Sequence, residues 1–91
     1  MKQETKCLHS GYVPKNGEPR QMPIYQSTTF KYDSSDAMGR LFDLEDSGYF
    51  YTRLQNPSND MTAAKIADLE GGVAAMLTSS GQAANFFALF N

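Results

Sequence analysis

Thr62, Ile66, Leu69 and Val73 recur at intervals of four, three and four, the spacing that stacks side chains along one face of an α-helix. Asn56 suits the cap of that helix, Pro57 its first position and Asp60 the positive end of its dipole. Gly71-Gly72 can supply the left-handed stop. The pattern predicts a helix over residues 57–70 with a mainly aliphatic buried face. A weaker stripe, Ala37, Met38, Leu41 and Phe42, predicts an earlier helix capped by Ser34 or Ser35 and ended by Gly48. Ala83, Phe86, Phe87 and Phe90 carry helical spacing again to the last residues.

Two stretches alternate or run apolar in the manner of strands. In "PIYQSTTFKY", Ile24, Thr28, Phe30 and Tyr32 can share one face of a short strand or extended segment. "VAAMLTSS", bounded by glycines, reads as a strand covered on both faces. Three of the four prolines fall in residues 1–23, and Asn16-Gly17 favours a tight turn, so this part reads as an extended arm. A buried strand needs neighbours on both edges, and only one other candidate is present. The sheet therefore looks unfinished, and the aromatic helix of "FFALFN" looks uncovered. Both lead to the expectation of a longer parent protein.

Composition narrows the function classes. Hydrophobic residues make up 41% and charged residues 20%, so the chain is of globular type and not disordered. The formal charge of -2, with no basic block, argues against nucleic acid as a partner. The start "MKQETKCLHS" lacks the apolar core of a signal peptide, and no apolar run approaches the ~20 residues of a membrane helix. Cys7, the sole cysteine, cannot form an internal disulfide, and with the sole histidine, His9, it makes no zinc spacing. A reducing cytoplasm is the expected setting. Cys7 has no base near it except His9, so it reads as an inert residue and not as a nucleophile.

Candidate chemistry sits at two places. In "MLTSSGQAA" a strand would run into a helix through small residues, so free helix NH groups and the dipole would point at one spot. Ser80, Gly81 and Gln82 form that spot: Gly81 lets a ligand approach the backbone, and Ser79 or Ser80 can add a hydroxyl donor. On pattern alone the junction reads first as a capped helix and second as an anion site. In "YFYTRLQNP", Tyr51 and Arg53 would point the same way from an extended backbone, and a phenol beside a guanidinium fork suits a phosphate. The plainer reading there is an aromatic strand end with an arginine pairing some carboxylate.

Taken together, "YTRLQNPSND" and "AAKIADLEGGVAAMLTSSGQAA" resemble the Cys/Met-metabolism family of pyridoxal 5'-phosphate-dependent enzymes. "LHSGYVPKNGEPRQMPIYQSTTF", "LFDLEDSGYFYTRLQNP" and "TSSGQAANFFALFN" extend the likeness over nearly the whole chain, and they are most similar to the O-acetylhomoserine sulfhydrylases. The resemblance implies an α/β fold: the N-terminal portion of the aspartate-aminotransferase-like, fold type I architecture. Residues 1–55 would be an arm with a short helix that clasps another subunit, and residues 56–91 the helix-strand-helix start of the large cofactor domain. It further implies that Gly81 and Gln82 hold the cofactor phosphate through backbone NH groups, and Ser80 of the same turn is counted with them as a cofactor-binding candidate. Tyr51 and Arg53 would reach the phosphate bound to a neighbouring subunit of a homotetramer.

The implied activity acts on a small amino acid, with homocysteine formed from O-acetylhomoserine and sulfide, or methionine formed with methanethiol. A methionine gamma-lyase or a cystathionine-forming or cystathionine-cleaving enzyme shares these residues, and a non-catalytic anion-binding module is the alternative of another class. Ser58 stands where the family usually has threonine after "NP", which keeps the hydroxyl. The family's Schiff-base lysine lies later in its chains, and none of Lys2, Lys6, Lys15, Lys31 or Lys65 stands in its motif. The resemblance thus implies that these residues alone are inactive.

Overall fold

The computed structural model describes residues 1–91. Four helices follow one another: α1 (Gln3–His9), α2 (Ser35–Phe42), α3 (Pro57–Glu70) and α4 (Gly81–Phe90). Helix α3 has the limits its sequence dictates. The Asn56 side chain accepts from the Ser58 amide at 2.8 Å, Pro57 occupies the first turn where no NH is needed, and Asp60 faces the positive end of the dipole. At the other end Gly71 adopts φ +71°, and the amides of Gly71 and Gly72 donate back to the carbonyls of Asp68 and Ala67. That left-handed stop closes the orphan carbonyls of the last turn.

The face that α3 buries differs from the aliphatic stripe expected. Ala63 and Ala67 are its buried residues, while Ile66 is 42% exposed and Val73 lies wholly in solvent. Residues 72–77 run back along the alanine side, where Ala63 lines clefts with both Gly72–Ala75 and Ala75–Leu77. A chain returning this closely to a helix fits small side chains and not branched ones.

The arm is not extended throughout. Residues 3–9 form α1, a helix that buries none of its residues and packs on α3. Its docking is polar. Lys6 Nζ donates to Asp68 Oδ1 at 3.1 Å, Ser10 Oγ to Asp68 Oδ2 at 2.5 Å, Gln3 Nε2 to the Leu69 carbonyl at 3.3 Å, and Lys65 Nζ to the Cys7 carbonyl at 2.9 Å. No apolar stripe in "QETKCLH" announced this helix, because long-range partners supply what periodicity does not. The Asn16-Gly17 turn does form: Glu18 N donates to the Lys15 carbonyl at 3.0 Å, with Gly17 at φ +83°.

The hydrogen bonds from Ser10 and then from Lys6 hold the Asp68 carboxyl below its ordinary 3.8. A depressed carboxylate stabilises the fold above its unfolded value, and that contribution disappears as pH falls through the lower folded value. We therefore expect α1 to loosen below pH 3.8, reported by the mobility of a spin label on Cys7, the only thiol. Asp68→Asn should abolish the pH dependence. A label whose mobility stays constant as pH is lowered from neutrality to well below 3.8 would contradict this account.

Helix α2 is capped by Ser34, whose hydroxyl accepts from Ala37 N at 3.1 Å, and it buries Leu41. It stops at Phe42, not near Gly48. Leu44 turns left-handed at φ +61°, and the Arg40 carbonyl takes up the amides of Glu45 and Asp46. Arg40 Nε locks this reversal through Asp46 at 2.7 Å.

No strand forms at residues 73–80, in contrast to the helix-strand-helix order expected. None of the backbone hydrogen bonds outside the helices involves residues 73–79. A ladder needs a second strand, and the single β pairing present, an antiparallel bridge between Thr29 and Tyr51, lies elsewhere. The α/β reading therefore appears here as helices and irregular segments.

Candidate functional site

The bridge fixes the first candidate cluster. Phe30 N donates to the Phe50 carbonyl at 3.3 Å and Thr52 N to the Thr28 carbonyl at 2.8 Å, so residues 28–30 and 50–52 lie side by side. Around it Phe42 meets Phe50 at 4.7 Å between ring centres, and Phe30 meets Tyr49 at 6.1 Å. The Tyr49 phenol donates to Asp60 Oδ2 at 2.8 Å and ties this segment to the first turn of α3. Burial first, then the hydrogen bond and charge of Asp60, push the Tyr49 phenol above its ordinary 10.0, so it keeps its proton at neutral pH.

Tyr51 and Arg53 do come together, but not from the extended backbone expected: the amides of Leu54 and Gln55 donate to the Tyr51 carbonyl, and Arg53 lies in the turn they close. Arg53 Nη2 donates to Tyr51 Oη at 3.3 Å, and the guanidinium carbon lies 5.0 Å from the centre of the Tyr51 ring. Arg53 has no carboxylate partner, so the pairing that the plainer reading required is absent. An exposed guanidinium with most of its NH groups free, next to a phenol, is equipped to receive an anion.

At the second cluster Ser80 caps α4: its Oγ accepts from Ala83 N at 3.0 Å. The first backbone donation in this helix comes from Ala84, to the Ser80 carbonyl at 3.1 Å, and the amides of Gly81 and Gln82 donate to no group of the chain. Thr78 Oγ1 donates to the Ser80 carbonyl at 2.9 Å and steadies the turn. A Cβ at Gly81 would meet nothing within 4 Å, so the backbone there is open to approach. Two free amides at the positive end of a helix dipole, with a serine hydroxyl beside them, favour a bound anion.

The chain does not join the two clusters. A cleft of about 220 Å³ brings Arg53 beside Ala75, Met76 and Leu77 but does not include Ser80, Gly81 or Gln82, and no hydrogen bond crosses between the clusters. Sequence reading missed what sits behind Tyr51 and Arg53. Asn56, only 3% exposed, donates its Nδ2 hydrogens to the Tyr25 carbonyl at 3.0 Å and to Thr52 Oγ1 at 3.2 Å. Ser58 Oγ donates to the Pro23 carbonyl and accepts from Tyr25 N, both at 2.9 Å. The "NPS" signal announces a helix cap, and nothing local in it announces these distant partners.

Comparison with known proteins follows the same residues. The profile of the family described as Cys/Met metabolism PLP-dependent enzyme matches residues 4–91. An O-acetyl-L-homoserine sulfhydrylase of Leptospira meyeri is 45% identical over 92 residues, covering 100% of this chain and 21% of the relative. An L-methionine gamma-lyase of Fusobacterium nucleatum is 48% identical over 80 residues, covering 88% of this chain and 20% of its own length. Among solved structures, an O-acetylhomoserine (thiol)-lyase from Campylobacter jejuni, which carries N'-pyridoxyl-lysine-5'-monophosphate, superposes with a TM-score of 0.87 at 34% identity, over 99% of this chain and 21% of that one. The chain thus spans about a fifth of the length of the relatives it matches.

Proposed function

The chain belongs to the Cys/Met-metabolism family of PLP-dependent enzymes, and from that premise we propose that it is the N-terminal part of an O-acetylhomoserine sulfhydrylase. The observation that carries the reading is the likeness over the full chain to proteins of that name, at 45% identity in the case of Leptospira meyeri. In the proposed reaction sulfide displaces acetate from the gamma carbon of O-acetylhomoserine, giving homocysteine and acetate.

The residues fit the cofactor's phosphate. The unpaired amides of Gly81 and Gln82, with the Ser80 hydroxyl, would hold its dianion by backbone donation and helix dipole. Tyr51 and Arg53, separate from that turn within one chain, would serve the phosphate held by a neighbouring subunit, the arrangement in which a free guanidinium makes sense. Bound there, pyridoxal 5'-phosphate supplies the electron sink for carbanions on the amino acid substrate. This chain's own part is anchoring and orientation. A homotetramer in which residues 1–55 clasp the next subunit is part of the same proposal.

The complete protein, given O-acetylhomoserine and sulfide, should form homocysteine and acetate in equal amounts, while the 91-residue chain mixed with the same reagents and pyridoxal 5'-phosphate should form none. Turnover by the chain alone would refute the anchoring role. The 48% identity to a methionine gamma-lyase favours a second reading. It would show as release of methanethiol from methionine with no homocysteine from O-acetylhomoserine.

A further inference from the structure

Beyond the anion clusters lie the aromatic face of α4, the polar dock of α1, and the buried polar group behind Tyr51 and Arg53. We propose that Asn56 and Thr52 are positioning residues that set the Tyr51–Arg53 pair, an inference that rests on the reading of that pair as an anion clamp.

The buried Asn56 amide is fully satisfied. Asn56 uses both its donors and its acceptor: Oδ1 takes the Ser58 amide, and Nδ2 gives one hydrogen to the Tyr25 carbonyl and one to Thr52 Oγ1. A cap needs only the oxygen. The two donations are additional and reach residues 31 and four positions away in sequence. Thr52, having accepted from Asn56, donates its hydroxyl hydrogen to the Ser27 carbonyl, and its amide goes to the Thr28 carbonyl. Every polar atom of Thr52 except its carbonyl is thus directed toward Asn56 and residues 27–28. Its two neighbours, Tyr51 and Arg53, make their contact with each other instead.

The directions in this relay follow from chemistry. Nδ2 can only donate, so Thr52 Oγ1 must accept from it, and its own hydrogen is then free only for the Ser27 carbonyl. Loss of either link leaves the backbone bridge to Thr28 and the cap bond to Ser58 in place and removes the side-chain tie that sets the turn carrying Tyr51 and Arg53. Residues 51–53 are therefore set from behind by a buried group with no role at the anion itself.

The test uses the complete protein, isotope-labelled. Three substitutions separate positioning from capping. Thr52→Val keeps shape and removes the relay; Thr52→Ser restores the hydroxyl; Asn56→Asp keeps the cap acceptor and removes both donors. The readout is the ring-current shift of the Arg53 side-chain protons under the Tyr51 ring, with amide exchange over α3 as the measure of capping. We expect the shift to collapse in Thr52→Val and Asn56→Asp and to persist in Thr52→Ser, with α3 protection held. Loss of one neutral hydrogen bond should also weaken inorganic phosphate binding about fivefold in Thr52→Val.

An unchanged ring-current shift in both disruptive variants overturns the proposal. So does loss of α3 protection in step with the shift, since Asn56 would then be a helix cap only. The anion reading fails separately: if inorganic phosphate leaves the Arg53 guanidinium signals unmoved, the clamp is no anion site, although the ring-current result still decides what positions the pair.

Discussion

Gly11→Ala should detach α1 from α3. Gly11 follows Ser10, the C-cap of α1, at φ +89°, and a Cβ built on it would lie 2.6 Å from the Met61 carbonyl oxygen and 3.0 Å from Lys65 N. Both are backbone atoms of a helix, which cannot give way as a side chain can. Left-handed backbone costs a residue with a Cβ roughly 1 to 2 kcal/mol, and crowding in a packed contact costs typically ~1 to 3 kcal/mol. Since α1 buries no residue, little apolar surface opposes a penalty of that size. Gly17→Ala is the control, because Gly17 has φ +83° and nothing within 4 Å, so it carries the backbone cost without the clash. A spin label on Cys7 should become mobile in Gly11→Ala and stay restrained in Gly17→Ala. Equal behaviour of the two would show that the close approach to α3 does not matter.

Arg53→Ala in the complete enzyme should weaken retention of pyridoxal 5'-phosphate by a factor of about ten to a hundred. Charge-assisted hydrogen bonds contribute about 1.5 to 3 kcal/mol, and the guanidinium has no competing carboxylate to satisfy. Arg53→Lys should lie between, since it keeps the charge and loses the planar fork and its stacking on Tyr51. Raised salt should narrow the gap between wild type and Arg53→Ala, because part of the attraction is screened. Equal dissociation constants for wild type and Arg53→Ala would remove Arg53 from the phosphate site.

How much of this the sequence discloses depends on how local the cause is. Helix α3 is legible to its terminal residues because Asn56, Pro57 and Gly71 act on their immediate neighbours. The Ser80 cap and the Tyr51–Arg53 pair are legible for the same reason. Helix α1 is not, because its reasons, Asp68 and Lys65, stand some 60 positions away on another element. The early stop of α2 turns on Leu44 adopting a left-handed backbone, which leucine rarely signals. Asn56 shows both cases in one side chain: its oxygen serves a residue two positions on, and its nitrogen serves residues 25 and 52. Residues 73–80 show the converse, since a strand pattern is only half of a strand and its partner is absent here.

Val73 to Ser79 contain no charge and no proline, expose most of their side chains, and leave their amides and carbonyls without backbone partners on either edge. Such a segment is a template for cross-pairing between molecules. Self-association at high concentration would then begin there, and a short peptide complementary to "VAAML" would act as its competitor.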